Sequence, residues 1–257
     1  MSGVVERLVI ILKSLVPEGN KKEWGASEIA RRSGLPVGTV HRILLDLKKY
    51  GMVIQNDNNK KFRLGLLIME LGLIARSNMS IMESARPILK QLMEKSMETT
   101  HLTVRDGYEG VLIDKIDTVH ELRFVQAIGK RTLLTQGALK KAMLAYLPED
   151  EISCVLDQIE QILGAMGKSI NRKSIIAELS QIRENGYAFS FGEVNPGTVA
   201  IGSPVFDYKG RVVASIGIMG PENRFSQDEI PFKIKIVKKA AVDLVRSIGG
   251  YIRSQES

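Results

Sequence analysis

The stretch that decides the fold is Ser27-Glu-Ile-Ala-Arg-Arg-Ser-Gly34-Leu-Pro36 followed by Val37-Gly38-Thr39-Val40-His41-Arg42-Ile43-Leu44-Leu45-Asp46-Leu47. Its first half predicts a short helix with Ile29 and Ala30 on the buried side, stopped by Gly34, which supplies the left-handed conformation of a tight helix–helix turn. Its second half predicts a helix over residues 36–50, with Pro36 near the first turn, where a missing N–H is harmless. At about 100° per residue, Val40, Ile43, Leu44 and Leu47 share one narrow arc, while Gly38, His41, Arg42 and Leu45 face the other way, flanked by Thr39 and Asp46.

Upstream, Val4, Leu8, Ile11, Leu12 and Leu15 recur at helical spacing, and residues 17–20 (Pro-Glu-Gly-Asn) end that helix. Glu6, Arg7 and Lys13 interrupt its apolar run, so it is not expected to be a secretion signal. Downstream, Met52-Val-Ile-Gln55, the turn-forming Asn56-Asp-Asn-Asn59 and Lys60-Lys-Phe-Arg-Leu64 predict a β-hairpin. Three helices followed by a basic hairpin describe a winged helix-turn-helix over residues 1–65.

The charge supports that division. Residues 1–76 carry thirteen Lys/Arg against seven Asp/Glu, so nearly all of the chain's net charge of +7 lies in its first third. A cationic head on a near-neutral body predicts a polyanionic partner for the head. A helix fits the DNA major groove, and basic residues at helix ends and on a wing neutralise phosphates. Arg31, Arg32, Lys60, Lys61 and Arg63 are the expected phosphate contacts. Thr39, His41 and Arg42 are best placed for base edges, with a phosphate the alternative contact for Arg42.

Over the whole chain, 257 residues predict two domains, and 44% hydrophobic with 25% charged residues is the composition of a globular protein. The single cysteine, Cys154, excludes an internal disulfide and predicts a reducing, cytoplasmic setting. It falls in a helical stretch among apolar residues and is expected to be a buried, inert thiol. The apolar run 64–75 is short and carries Glu70, so no membrane span is expected.

Residues 66–78 read as a helix with Leu67, Glu70, Leu71 and Ile74 on one face, either a linker with a dimer contact or an ordinary intradomain helix. A further helix over 81–97 has Ile81, Ala85, Ile88, Leu89 and Leu92 as its core side, with Pro87 expected to kink it or move its start. Strands are predicted at 101–105, 111–115 and 122–125, then two or three helices between 135 and 185, then strands at 187–191, 199–206 and 212–219. Ser226-Gln-Asp-Glu229 resembles a capping box opening a last helix with Ile234, Val237, Ala241 and Leu244 inward. This order predicts an α+β domain with helices on one face of a sheet.

The segments Ser27–Pro36, Thr39-Val-His-Arg-Ile-Leu44 and Lys61-Phe-Arg-Leu-Gly65 are similar to the DNA-binding domain of the IclR family of transcriptional regulators. The similarity continues through Ala85-Arg-Pro87, Gly186-Tyr187, Gly197, Pro204-Val-Phe-Asp207, Gly210-Arg-Val212 and Gly220-Pro221. It implies a winged helix-turn-helix, a linker helix over 66–79 and a GAF-like α+β effector-binding domain over 80–257. It also implies a homodimer, often paired into a tetramer, on a pseudo-palindromic double-stranded operator. Just before Thr39, where members commonly carry a basic residue and a small hydroxyl, this chain has Val37-Gly38, which removes a phosphate contact and a capping hydroxyl.

For the second domain the resemblance implies a small-molecule site lined by Ala138, Leu139, Ser190, Ala200, Gly217 and Met219. Members that bind small organic acids tend to have an acidic residue at the place of Ser190, Cys or Ser at Ala200, and Ser at Gly217 and Met219. Burying a carboxylate without donors is costly, so a different or more apolar effector is implied. Arg123, Lys130, Arg131, Lys140 and Lys141 are either anion contacts at the pocket rim or solvated surface.

No catalytic pattern emerges. His41, His101 and His120 lack metal-ligand spacing, Ser190 lacks a nucleophile-elbow context, and no phosphate-loop or dinucleotide fingerprint is present. No cofactor or metal is expected. The reading is a ligand-responsive transcriptional regulator. The alternatives are a metabolite-converting enzyme with an accessory winged helix and an interaction module whose wing binds protein.

Overall fold

The computed structural model describes residues 3–19, 21–77 and 80–250, so the expected helix stop at Asn20 and the linker end at Asn78 and Met79 lie outside the described residues. Contacts divide the chain into two units, residues 1–79 and 80–257. No helix among the described residues is long and apolar enough to cross a membrane.

The first unit comprises helices α1 (Val4–Ser14), α2 (Ala26–Ser33) and α3 (Val37–Lys49), the hairpin β1 (Val53–Gln55) and β2 (Phe62–Leu64), and helix α4 (Leu66–Ser77). Its core joins Ile11 and Leu15 of the first helix region, Ile29 and Ala30 of α2, and Val40, Leu44 and Leu47 of α3, with Trp24, Val53 and Phe62 beneath. Gly34 sits at φ 69°, the left-handed turn that lets α3 follow α2 within three residues. Trp24 bridges to β2 from outside the hairpin, exchanging backbone hydrogen bonds with Phe62 at 2.9 and 2.8 Å, which fastens the wing to the helices.

The second unit opens with α5 (Ser80–Ser96), which runs through Pro87. It continues with β3 (Thr99–Asp106), β4 (Glu109–Ile116), β5 (Arg131–Leu133), α6 (Ala138–Leu144), α7 (Glu149–Gly164) and α8 (Arg172–Asn185). After these come β6 (Ala188–Phe191), β7 (Thr198–Phe206), β8 (Val212–Pro221) and α9 (Ile230–Ser247). The strands form one antiparallel sheet in the order β5-β4-β3-β8-β7-β6.

The class is α+β, but helices cover both faces of the sheet rather than one. On one face α5 and α9 pack together, and the Thr100 hydroxyl of β3 donates to the Leu89 carbonyl of α5 at 3.1 Å. On the other, α6 lies so close to β7 that a Cβ on Gly202 would come within 2.8 Å of the Leu139 Cα. Helices α7 and α8 pack behind α6 through Leu156, Ile159, Leu179 and Ile182.

Three local expectations are corrected. Residues 122–125 form no strand. Leu122 and Val125 are exposed, and the edge of β4 is taken instead by β5, in register Glu109↔Leu133 and Val111↔Arg131. Cys154 is exposed, because the buried stripe of α7 runs through Ile152, Val155, Leu156 and Ile159 and leaves position 154 on the outer side. Ser226 caps nothing with its side chain. Its carbonyl instead accepts from the Glu229 and Ile230 N–H groups in a turn, and the helix begins at Ile230 with Pro231 in its first turn.

Candidate nucleic-acid interface and sheet cavity

In the first unit His41, Arg42 and Leu45 are exposed on the outer side of α3, and Thr39 is half-buried beside them. The core spacing of Val40, Leu44 and Leu47 turns this face outward. Lys60 stands at the wing tip with φ 59°, at the end of a turn held by Asn56 and Asn59 side chains that accept from the Asn58 and Lys61 N–H groups. Arg31, Arg42 and Lys60 make no ion pair among the described residues.

Lys61, half-buried just before β2, likewise makes no ion pair among the described residues, whereas Arg32 and Arg63 are engaged. Arg32 pairs with Glu18 at 2.7 Å and lies over the Trp24 ring at 3.8 Å, with Lys21 at 4.5 Å from the same ring. Lys21 pairs with Glu28 at 2.5 Å, and with the Gly25 N–H it holds that carboxyl down at about 2. Glu23 binds the wing through the Asn56 and Asn59 amides, at 3.0 and 2.9 Å, and stands 3.7 Å from Arg63. Those amides, Asn59 foremost, then Arg63 and Lys61, keep its carboxyl below the usual range against the opposing effect of partial burial. Glu23 and Trp24 are absent from the sequence reading, because only the folded wing brings them to it.

In the second unit Ala138, Leu139, Ser190, Ala200 and Met219 line one small cavity between the start of α6 and the ends of β6, β7 and β8. Gly217 is not among its lining residues. A Cβ there would stand 2.1 Å from the Ile201 carbonyl oxygen, so the missing serine reflects strand packing and not ligand chemistry. The cavity holds about 20 Å³, room for about one water molecule.

Of its further polar groups only Lys140 is among the cations expected at the rim. His101, Gln126, Lys140, Glu193 and Thr198 also line it. The first N–H groups of α6 are occupied from within the chain, Gly137 donating to Glu193 Oε2 at 2.9 Å and Ala138 to Ser190 Oγ at 3.0 Å. Lys141 is buried, paired with Glu178 and, at 2.5 Å, with Glu193. Of the other rim candidates, Arg131 is tied to Asp106 and Glu109, Arg123 and Lys130 are exposed, and Lys140 is buried.

His101 is 2% exposed and its Nε2 has no partner. Burial, then the charges of Lys140 and Lys115 against the opposing Asp117, push it down to about 3. Burial, then Lys130, lowers Lys140 to about 8. Among the described residues no three or more His, Cys, Asp or Glu side chains are grouped to hold a metal.

The family model for the IclR helix-turn-helix domain matches residues 4–57, and that for the bacterial transcriptional regulator IclR C-terminal domain matches residues 74–246. The HTH-type transcriptional regulator KipR of Bacillus subtilis is 33% identical over 230 residues, covering 90% of this chain and 92% of the relative. KdgR of Escherichia coli, also an HTH-type transcriptional regulator, is 31% identical over 231 residues, 90% of this chain and 88% of its own length. The crystal structure of the Thermotoga maritima IclR superposes with a TM-score of 0.75 at 27% identity, covering 96% of this chain and 98% of that one. An IclR homolog from Microbacterium hydrocarbonoxydans, solved in complex with 4-hydroxybenzoate, shares the fold with a TM-score of 0.80 at 20% identity, over 96% and 99% of the two chains.

Proposed function

Because this chain belongs to the IclR family of bacterial transcriptional regulators, we propose that its α3 reads the major groove of a pseudo-palindromic operator while the wing holds the flanking backbone. The observation that carries this reading is the outward face of α3, where His41 and Arg42 stand exposed, with Arg31 on α2 and Lys60 at the wing tip also free of ion pairs among the described residues. Thr39, His41 and Arg42 meet base edges; Arg31, Lys60 and Lys61 meet phosphates. Arg32 and Arg63, tied to Glu18 and Glu23, serve chiefly to brace the domain.

The regulator acts as a homodimer in the cytoplasm. Leu66, Met69, Leu71, Leu73 and Ile74 of α4, and Val4 and Val5 of α1, leave an apolar surface in water that a second copy would cover. Residues 66–79 then serve as the link between reader and sensor. The sheet cavity is the effector site, and an effector acts by binding two arrangements of the dimer unequally; the same fold carries 4-hydroxybenzoate in the Microbacterium protein. A catalytic reading gains no support there, since Ser190 is engaged with the Ala138 N–H and His101 is too weak a base at neutral pH.

Nuclease footprinting on the DNA upstream of the protein's own gene tests the proposal. Two protected half-sites about one helical turn apart are expected. Protection of one half-site, or none, would contradict it.

A further inference from the structure

We propose that Glu23, a carboxylate in a cationic head, raises the affinity for DNA by holding Lys60 in place at the wing tip. The inference rests on reading this unit as the DNA reader and adds a positioning residue to it.

Glu23 lies in the loop between α1 and α2, and the next residue fixes where it stands. Trp24 is buried and bridges to Phe62 of β2 through its backbone, which sets the half-buried Glu23 beside the wing. There one carboxylate oxygen, Oε2, accepts from both turn amides, Asn56 Nδ2 at 3.0 Å and Asn59 Nδ2 at 2.9 Å. An asparagine whose NH2 is engaged in this way keeps its Oδ1 for the backbone. Asn56 Oδ1 accepts from the Asn58 N–H at 3.0 Å, and Asn59 Oδ1 accepts from the Lys61 N–H at 2.9 Å. Through two side chains, Glu23 thus braces the backbone on either side of Lys60.

Lys60 needs that support. Its φ of 59° is a left-handed conformation that lysine adopts at a cost, and it persists only where the surroundings impose it. The Lys60 N–H donates to the Asn56 carbonyl at 2.8 Å, and its own carbonyl accepts from Gln55 Nε2 at 3.2 Å. Gln55 in turn accepts from Lys48 Nζ of α3 at 3.2 Å, so the reading helix is joined to the same tip. The result is an exposed ammonium group carried on an ordered turn, without an ion pair among the described residues. A cation on an ordered turn loses less freedom on meeting a phosphate than one on a loose loop. A negative charge this near the wing repels DNA by itself. Ordering the tip contributes more to affinity than that charge subtracts.

Anisotropy titration of the full chain on its upstream duplex and on a scrambled duplex tests this at two salt concentrations, with Glu23→Ala, Lys60→Ala and the double variant. Charge alone would make Glu23→Ala bind more tightly. Positioning makes it bind both duplexes about fivefold more weakly and lowers the salt slope by about one, as the loss of a phosphate contact would. In the Lys60→Ala background the same change is expected to cost no affinity, because the group it positions is gone. Unchanged or tighter binding by Glu23→Ala, or an equal loss with and without Lys60, would overturn the proposal. Amide hydrogen exchange on the free proteins supplies an arm that needs no DNA. In Glu23→Ala the Asn58, Lys60 and Lys61 N–H groups are expected to exchange about tenfold faster, while those of Val40, Leu44 and Leu47 keep their rates. Equal acceleration throughout would mean a general loss of stability, and no acceleration would mean a wing ordered without Glu23; either overturns the proposal. A wild type that gripped no duplex would sink the regulatory reading, and the exchange arm would then decide alone whether Glu23 orders the wing.

Discussion

Glu98, just before β3, holds Arg224, just after β8, through two parallel hydrogen bonds, Nε to Oε1 at 2.8 Å and Nη2 to Oε2 at 2.7 Å. Lys233 of α9 stands 3.4 Å from the same carboxylate, donates to the Arg224 carbonyl at 2.8 Å and lies over the Phe225 ring. The triad ties strand ends in register Thr99↔Met219 to the last helix, beside the cavity wall formed by Met219.

Glu98 is 1% exposed, so its neutralisation leaves two cations facing an uncharged group in a buried place. Glu98→Gln is expected to lower stability by about 3 kcal/mol. Denaturant unfolding measures it; a change under about 1 kcal/mol, the scale of a surface pair, would show that the triad is solvated.

Stability should fall in acid partly through His101. The unfolded chain takes up this proton near 6.5, whereas the folded chain resists until about 3. Between those values the unfolded state binds more protons, so the folded state loses about 1.4 kcal/mol for each pH unit lowered from 6.5 toward 3. The melting curves of wild type and His101→Gln, taken against pH, should converge or cross as pH falls through this window. Parallel curves would contradict the assignment.

Lys140 works in the alkaline range. Its folded value of about 8 lies below the unfolded 10.5, so its burial destabilises the fold fully below pH 8 and ceases to do so above about 10.5. Lys140→Met is expected to stabilise the ligand-free protein by about 3 kcal/mol at pH 7, the gain fading as pH rises through that window. A variant that is less stable at pH 7 would mean that Lys140 is already matched.

Arg42 and Lys60 should part company on DNA. Arg42→Ala is expected to weaken the operator far more than unrelated duplexes and relax preference at one base pair. Lys60→Ala should weaken all duplexes alike and reduce the salt slope by about one. Competition binding against a set of single-base operator variants separates them, and identical profiles would make Arg42 another phosphate contact.

The reader domain was legible because its signals are local. Val40, Leu44 and Leu47 recur at the helical period, Gly34 marks the turn, and the Asn56–Asn59 run marks the wing. The errors came where long-range pairing decides. Leu122 and Val125 look like strand residues, but the neighbour of β4 is Arg131-Thr-Leu133, a segment with little apolar pattern. Cys154 has apolar neighbours in sequence and stands off their stripe in space. At the cavity, resemblance located Ala138, Leu139, Ser190, Ala200 and Met219, yet not what occupies them. Glu193 reaches α6 across 56 residues of chain to meet Gly137, and no spacing rule announces such a contact. Nor does sequence distinguish Lys140 from Lys141, since only the fold gives one of them partners.

Fluorescence anisotropy of the full chain on a labelled duplex from its own upstream region, set against a scrambled duplex at two salt concentrations, tests the central claim that the outer side of α3 and the wing grip DNA. The account predicts preference for the upstream sequence and an affinity that falls steeply as salt rises, through release of ions from the contacted phosphates. Equal binding of both duplexes, or an affinity indifferent to salt, would contradict it.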